Sequence, residues 1–322
     1  MTTSPSTLET HAENPLIPAK KRIGDRVFSS LSTGSGIIIL VILALVAGFL
    51  LMQAFPALTS TPAQLTAQGY GPFFSWVAPY AFGTVWSSFL ALLFAVPVGV
   101  GIALFISHYA SRKLAQPIGY VIDLLAAVPS VVYGLWGANT FAPEINRAWI
   151  WLNHNLHWFP LFGGQASGTG RTMLTTALVL AVMVLPIITS LCREVFLQTP
   201  KLHEEAALAL GATRWEMIKM SVFPFARAGI VSAVMLALGR ALGETMAVAM
   251  ILSGTNTINF QVLTSNNPNT IAATIALNFP EAYGLRTNQL IAGGLVLFVI
   301  TLAVNMVARW IVNRRKEFSG AN

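Results

Sequence analysis

The chain has 322 residues, of which 55% are hydrophobic and only 10% charged. Soluble domains carry roughly 25% charged residues, so the composition argues against a soluble protein and for an integral membrane one. The net charge of +7 is no sign of nucleic-acid binding, because the basic residues border apolar runs, and the single cysteine, Cys192, excludes an internal disulfide or a cysteine metal cluster.

Residues 1–33 are polar, rich in Ser, Thr and Pro, with Lys20, Lys21, Arg22 and Arg26, and read as a flexible cytoplasmic tail. Six runs then reach the roughly 20 apolar residues a bilayer-crossing helix needs. They are Gly36–Ala54, Gly83–Ile106, Ile118–Trp136, Met173–Leu191, Ala228–Ser253 and Gln289–Ile311. All are too long for barrel strands and lack period-two alternation, so the expected fold is all-α, a polytopic bundle of six transmembrane helices. The first run exceeds a signal-peptide core and reads as an uncleaved first helix. Pro97, Pro129 and Pro186 fall inside spans and are expected to kink them.

With both ends cytoplasmic, inside segments hold fifteen of the 19 lysines and arginines, and the outer loops only Arg147, Arg171 and Arg286. This positive-inside asymmetry fits an even number of spans in a cytoplasmic membrane. Two outer loops are long. Residues 137–172 carry Trp149, Trp151 and Trp158, which suit an interfacial aromatic belt, a docking surface for an extracytoplasmic partner, or both. Residues 254–288 contain "TIAATIAL", too short to span and expected as a re-entrant or surface helix.

The longest inside loop reads "TPKLHEEAALALGATRWEMIKMSVFPFARAG". Its spacing predicts a helical hairpin. Thr199 caps the first helix, Pro200 opens it and Gly211 stops it. Thr213 and Glu216 have capping-box spacing for a second helix, which Pro224 ends. Such a hairpin either packs on its own bundle or is gripped by a partner.

The residues of this loop resemble a known family. "EAALALG", with Glu205, Ala206, Ala207 and Gly211, is similar to the EAA loop of binding-protein-dependent ABC importer permeases. That family continues with Ile-x-Leu-Pro, where this chain has Ser221-Val222-Phe223-Pro224. "IDLLAAVPSVVYGLWG" (122–137), "LGRALGETMAV" (238–248) and "LVLFVITLAVN" (295–305) resemble the phosphate-specific importer, in the C-type of its two permease subunits. The resemblance implies a type I importer permease architecture. Residues 34–80 would hold the first helix and an outer loop, 81–312 the transport domain with its coupling loop at 192–227, and 313–322 a cytoplasmic tail. It also implies a second homologous permease, two ATP-binding ATPase subunits, an extracytoplasmic phosphate-binding protein and inorganic phosphate as cargo. Sulfate or molybdate as cargo is the nearest alternative.

Within the fifth run, Arg240 and Glu244 are the only charges between Ala228 and Ser253. At four residues apart they would share one face of a continuous helix, with Arg240 roughly 18 Å from Ala228 along the axis. Two roles fit: an interhelical polar staple, or a cargo contact in which the guanidinium meets an oxyanion bidentately. By resemblance these positions correspond to a charged pair important for transport. Gly239 and Gly243 form a GxxxG pair for close helix packing. Thr84, Ser87, Ser88 and Ser130 are further hydroxyl candidates, and Asp123 lies near an inner span end. His108, His154, His157 and His203 sit near boundaries, in solvated or interfacial roles. There is no GxxxxGK[ST] or HExxH and no nucleophile with its base, so neither a cofactor nor a metal is expected and ATP belongs to partners. An ion-driven secondary transporter would more often show internal repeats, and none is found. An intramembrane enzyme would have to work with Arg240 and Glu244 alone.

Overall fold

The computed structural model describes residues 23–61, 63–64 and 71–316. Lys20, Lys21 and Arg22 of the expected tail, and residues 317–322, lie outside the described residues. The chain divides into two units, one ending at Phe49 and one beginning at Leu50. In the first unit, helix α1 (Ile23–Thr59) starts inside the expected tail, so residues 23–33 are helical. The large apolar side chains of residues 24–49, among them Phe28, Ile37 and Leu45, are exposed. A helical stretch that is apolar all round is suited to lipid.

The second unit is built on two uninterrupted helices, α2 (Phe73–Leu104) and α6 (Met173–Leu197). Ala91, Ala95, Ala103, Ala177, Val184 and Ile188 are fully or almost fully buried in the core. In lipid the driving force for such packing is close van der Waals approach, which small residues allow. Gly99 shows it directly: a Cβ there would sit 2.9 Å from Ile188 Cγ2. The Thr189 hydroxyl donates to the Gly99 carbonyl at 3.3 Å. Pro97 and Pro186 lie inside these helices without breaking them.

The third run is not one helix. α3 (Arg112–Ala126) and α4 (Ser130–Trp136) are separated by a 91° bend at Ala127–Pro129, and the outer half continues through a π-helical turn (Gly137–Phe141) into α5 (Ala142–Leu156). Proline removes an N–H and disfavours helical backbone just before it. The carbonyls released at the break still need donors, and the Tyr133 hydroxyl reaches back to the Leu125 carbonyl at 2.9 Å. Five described helices are long and apolar enough to cross a membrane, or six when this bent pair is counted as one span.

After α6 come α7 (Lys201–Ala209), α8 (Arg214–Met217), α9 (Phe223–Gly243) and α10 (Met246–Ile251). The outer loop that follows is folded inward. β1 (Gly254–Thr255) pairs in parallel with β2 (Asn267–Pro268), leading to α11 (Ile271–Asn278). Gly83 admits this loop, since a Cβ there would meet the Asn269 carbonyl. Thr84 Oγ1 accepts the Ile271 N–H at 2.9 Å, and Ile271 to Thr274 are buried. The "TIAATIAL" segment is therefore a packed core element rather than a surface helix. α12 (Leu285–Lys316) is the last span.

Candidate functional site

The fifth run breaks at its charges. α9 ends at Gly243, Glu244 is extended (φ −69°, ψ 126°), and α10 starts at Met246. Arg240 and Glu244 therefore do not share a helix face, and among the described residues they form no ion pair. Each charge instead complements a helix end. Arg240 lies in the last turn of α9, where the helix dipole favours a cation. The Glu244 carboxylate accepts the Ala247 N–H at 3.1 Å, satisfying an orphan donor at the start of α10. Glu244 is buried and Arg240 exposed. The exposed guanidinium lines a cavity of about 740 Å³ beside Gly239 and Ser232.

The glycine pair Gly239 and Gly243 does not pack within the chain, because a Cβ at either would meet nothing within 4 Å. Close approach occurs elsewhere. A Cβ on Gly134 would lie 3.0 Å from Ala247 Cα, and one on Gly137 2.6 Å from Ile251 Cδ1. The outer halves of the two broken spans, α4 and α10, thus pack on each other. Both breaks and the cation form one locale.

Most other polar candidates are committed to structure. Thr84 Oγ1 donates to the Tyr80 carbonyl at 2.7 Å and Ser87 to the Thr84 carbonyl at 3.2 Å. Ser88 is fully buried without a partner for its hydroxyl, and Ser130 is half-buried at the break. Asp123 is exposed in the last turn of α3, in a cavity it shares with Arg112, Gln116, Tyr120 and Arg193. Trp149 leaves the aromatic belt: it is buried and its indole N–H donates to Thr175 Oγ1 at 2.8 Å. Trp151 and Trp158 are exposed. No cluster of metal ligands occurs among the described residues.

The hairpin between α6 and α9 is the second site. Gly211 adopts φ +85°, the left-handed helix stop expected of it. Both halves of the capping box are present: Thr213 N–H donates to Glu216 Oε2 at 2.8 Å, and Thr213 Oγ1 accepts the Glu216 N–H at 3.3 Å. Those contacts hold the Glu216 carboxyl below its ordinary range. Two expectations fail. Thr199 does not cap α7, because its hydroxyl is buried without a partner. Pro224 does not end the second helix, because a π-helical turn at Ile218–Val222 carries the chain past it into α9. Arg214–Gly243 is one 30-residue helical segment.

Glu205, Ala206 and Gly211 are exposed and Ala207 is turned inward. Leu202 is 76% and Leu210 90% exposed, whereas Ala207 and Met217 are buried, so the hairpin packs one apolar side on its own bundle and leaves the other uncovered. Exposed leucines of this kind mark a surface for a partner. Ser221, where the family has an aliphatic residue, donates to the His203 carbonyl at 3.2 Å and ties the two helices together. One anchor escaped the sequence reading. His108, largely buried in the π-helical turn (Phe105–Tyr109) that ends α2, contacts Glu204 at 3.4 Å and Ser107 Oγ at 2.7 Å. The signal, a histidine at a span end and a glutamate 96 residues later, has no local pattern.

Residues 95–317 match the family described as binding-protein-dependent transport system inner membrane component. The chain belongs to this family. It is 43% identical over 97% of its length, and 98% of the relative's, to phosphate transport system permease protein PstC 2 of Mycobacterium tuberculosis. Over 92% of both chains it is 40% identical to phosphate transport system permease protein PstC of Mesorhizobium japonicum. Among solved structures, a chain of a bacterial ABC transporter that imports the acidic polysaccharide alginate superposes with a TM-score of 0.61. That match covers 91% of this chain and 99% of the other at 16% identity, and it fixes the fold as that of ABC importer permeases.

Proposed function

We propose that this chain is a membrane subunit of an ATP-driven importer of inorganic phosphate. It works beside a second homologous permease, two ATPase subunits and an extracytoplasmic phosphate-binding protein, in the cytoplasmic membrane with both termini inside. The observation that carries the reading is the exposed Arg240 at the broken fifth span, in a family member whose near-full-length relatives bear the name phosphate transport system permease protein.

A guanidinium within the membrane is costly unless it meets water or an anion. Its planar fork matches two phosphate oxygens. Glu244 holds the start of α10 and so fixes where the helix breaks. The open faces of Gly239 and Gly243 suit the second permease. At the other end, the ATPase subunits take hold of Glu205, Ala206 and Gly211 on the hairpin. Closing of the ATPases moves α7 and α8, and α8 is continuous with the helix carrying Arg240, about 39 Å away along the axis. His108 and Glu204 pass the same motion to α2. The cargo site and the hairpin then bias one two-state element from both ends.

The test is uptake of labelled phosphate by the complete transporter in vesicles. Arg240→Gln is expected to abolish uptake while the complex still assembles, and Glu244→Lys to be similarly severe. Full uptake by Arg240→Gln removes the guanidinium from the pathway. Stronger competition by sulfate or molybdate than by unlabelled phosphate transfers the cargo assignment to those anions.

A further inference from the structure

Arg309 belongs by sequence to the basic inner end of the last span, where a positive charge sets topology. The structure gives it a different neighbourhood. It lines the same 740 Å³ cavity as Arg240, with Ser232 on α9 and Asn305 on α12. Consecutive spans run in opposite directions, so Arg240 stands at the outer end of this groove and Arg309 at the inner end, one turn beyond Asn305. Ser232 lies about 12 Å from Arg240 along α9.

Among the described residues, two guanidiniums face one groove with no carboxylate beside them. The contact of His108 with Glu204 lies elsewhere and uses neither arginine. Like charges sharing a partly desolvated groove repel, and an anion relieves the repulsion. The polar side chains between them retain donor capacity. Asn305 spends one amide N–H on the Thr301 carbonyl at 2.9 Å and keeps the other. The Ser232 hydroxyl donates to the Ala228 carbonyl at 2.9 Å, and it can rotate to a stronger, charged acceptor.

We propose that Arg309, with Asn305 and Ser232, is a second oxyanion contact on the inner side of Arg240, which takes the tetrahedral cargo anion before release to the cytoplasm. The assignment rests on the phosphate reading above and extends it. It also answers a shortage in that reading, since one arginine is a sparse partner for a dianion. Ser232 and Asn305 make the groove a chain of donors rather than a single charge.

The test uses the complete transporter with its partner subunits and binding protein, reconstituted in zwitterionic vesicles with and without anionic phospholipid. Initial rates of labelled phosphate uptake and binding-protein-stimulated ATP hydrolysis are measured together. Arg309→Gln is expected to slow uptake about tenfold, the factor for one lost charge-assisted contact, with ATP hydrolysis still stimulated. Arg309→Lys keeps the topological charge but not the bidentate fork, so partial recovery is expected. Asn305→Ala probes the groove from a second residue and should slow uptake in the same direction by a smaller factor.

Uptake by Arg309→Gln equal to wild type overturns the inner contact, and so does full rescue by lysine, which reduces Arg309 to a topology signal. Wild-type uptake that falls as anionic phospholipid is added, with the Arg309→Gln protein insensitive, assigns the groove to a lipid headgroup and also overturns it. A wild-type transporter that moves no phosphate at all sinks the earlier functional reading instead, so the two failures are distinguishable.

Discussion

Spans two and four differ from spans three and five in a way that separates frame from moving part. α2 and α6 are continuous, deeply buried and locked at Gly99 against Ile188. Prolines at 97 and 186 leave them whole. The third span bends by 91° beside Pro129, and the fifth stops at Gly243 and restarts at Met246. The broken pair meets through the glycines of α4, and the exposed arginine stands next to the breaks. The same residue type gives a continuous helix in one setting and a break in the other. At the break a neighbour supplies a donor for a freed carbonyl: the Tyr133 hydroxyl does so for Leu125. Half-helix ends left at mid-span are where ion sites form in transporters.

Substitutions on either side of this division should fail differently. The largest effect on folding is expected in the frame. Gly99→Leu would drive spans two and four apart and cost about 1–3 kcal/mol of stability, seen as a lower melting temperature of the purified complex. Uptake per folded molecule should hold up far better than in any variant at the breaks. Unchanged melting would mean the frame is looser than its packing suggests. At the break, Glu244→Ala removes the acceptor for Ala247 N–H, a capping loss of about 1 kcal/mol. Melting should barely move while uptake collapses. A Glu244→Gln variant keeps an acceptor oxygen and should retain more uptake than alanine.

The link between hairpin and frame comes next in size. His108→Phe keeps an aromatic ring against Phe196, whose centroid lies 6.4 Å away, but loses Glu204. Phosphate moved per ATP hydrolysed should fall about fivefold, the low end of site-to-site coupling. An unchanged ratio would leave α8 and α9 as the sole mechanical route. The smallest effect is local to the hairpin. Because Thr213 depresses the Glu216 carboxyl, the capping box stabilises the hairpin fully above the ordinary carboxylate range. That contribution is lost as pH falls through the depressed value. A lower protection factor for the Glu216 amide in acid than at neutral pH, after correction for the intrinsic exchange rate, is the expected signature.

The spans were legible in the sequence because a bilayer sets a minimum apolar length that hydropathy alone reveals. The hairpin was legible because Gly211 and the Thr213–Glu216 spacing are local devices. The bend at Pro129 was legible as an expected kink, but the break after Gly243 was not. Arg240 and Glu244 read as helix neighbours because spacing carries no record that Gly243 ends the helix between them. Pro129 is the same residue as Pro97 and Pro186, and only tertiary contacts tell them apart. Pro224 looked like a stop because a π-helical turn leaves no mark in composition. Arg309 read as one more inner charge because topology alone explained it.

The uninterrupted run from Arg214 to Gly243 makes chain length between hairpin and cation a phase setting. Each residue of an α-helix advances about 100° around the axis. One residue deleted or inserted between Val231 and Leu238 would leave the hairpin's grip intact yet aim the guanidinium at a different wall. The five-residue wide turn beginning at Ile218 already tunes that angle, so the register of this stem matters as much as which side chains it bears.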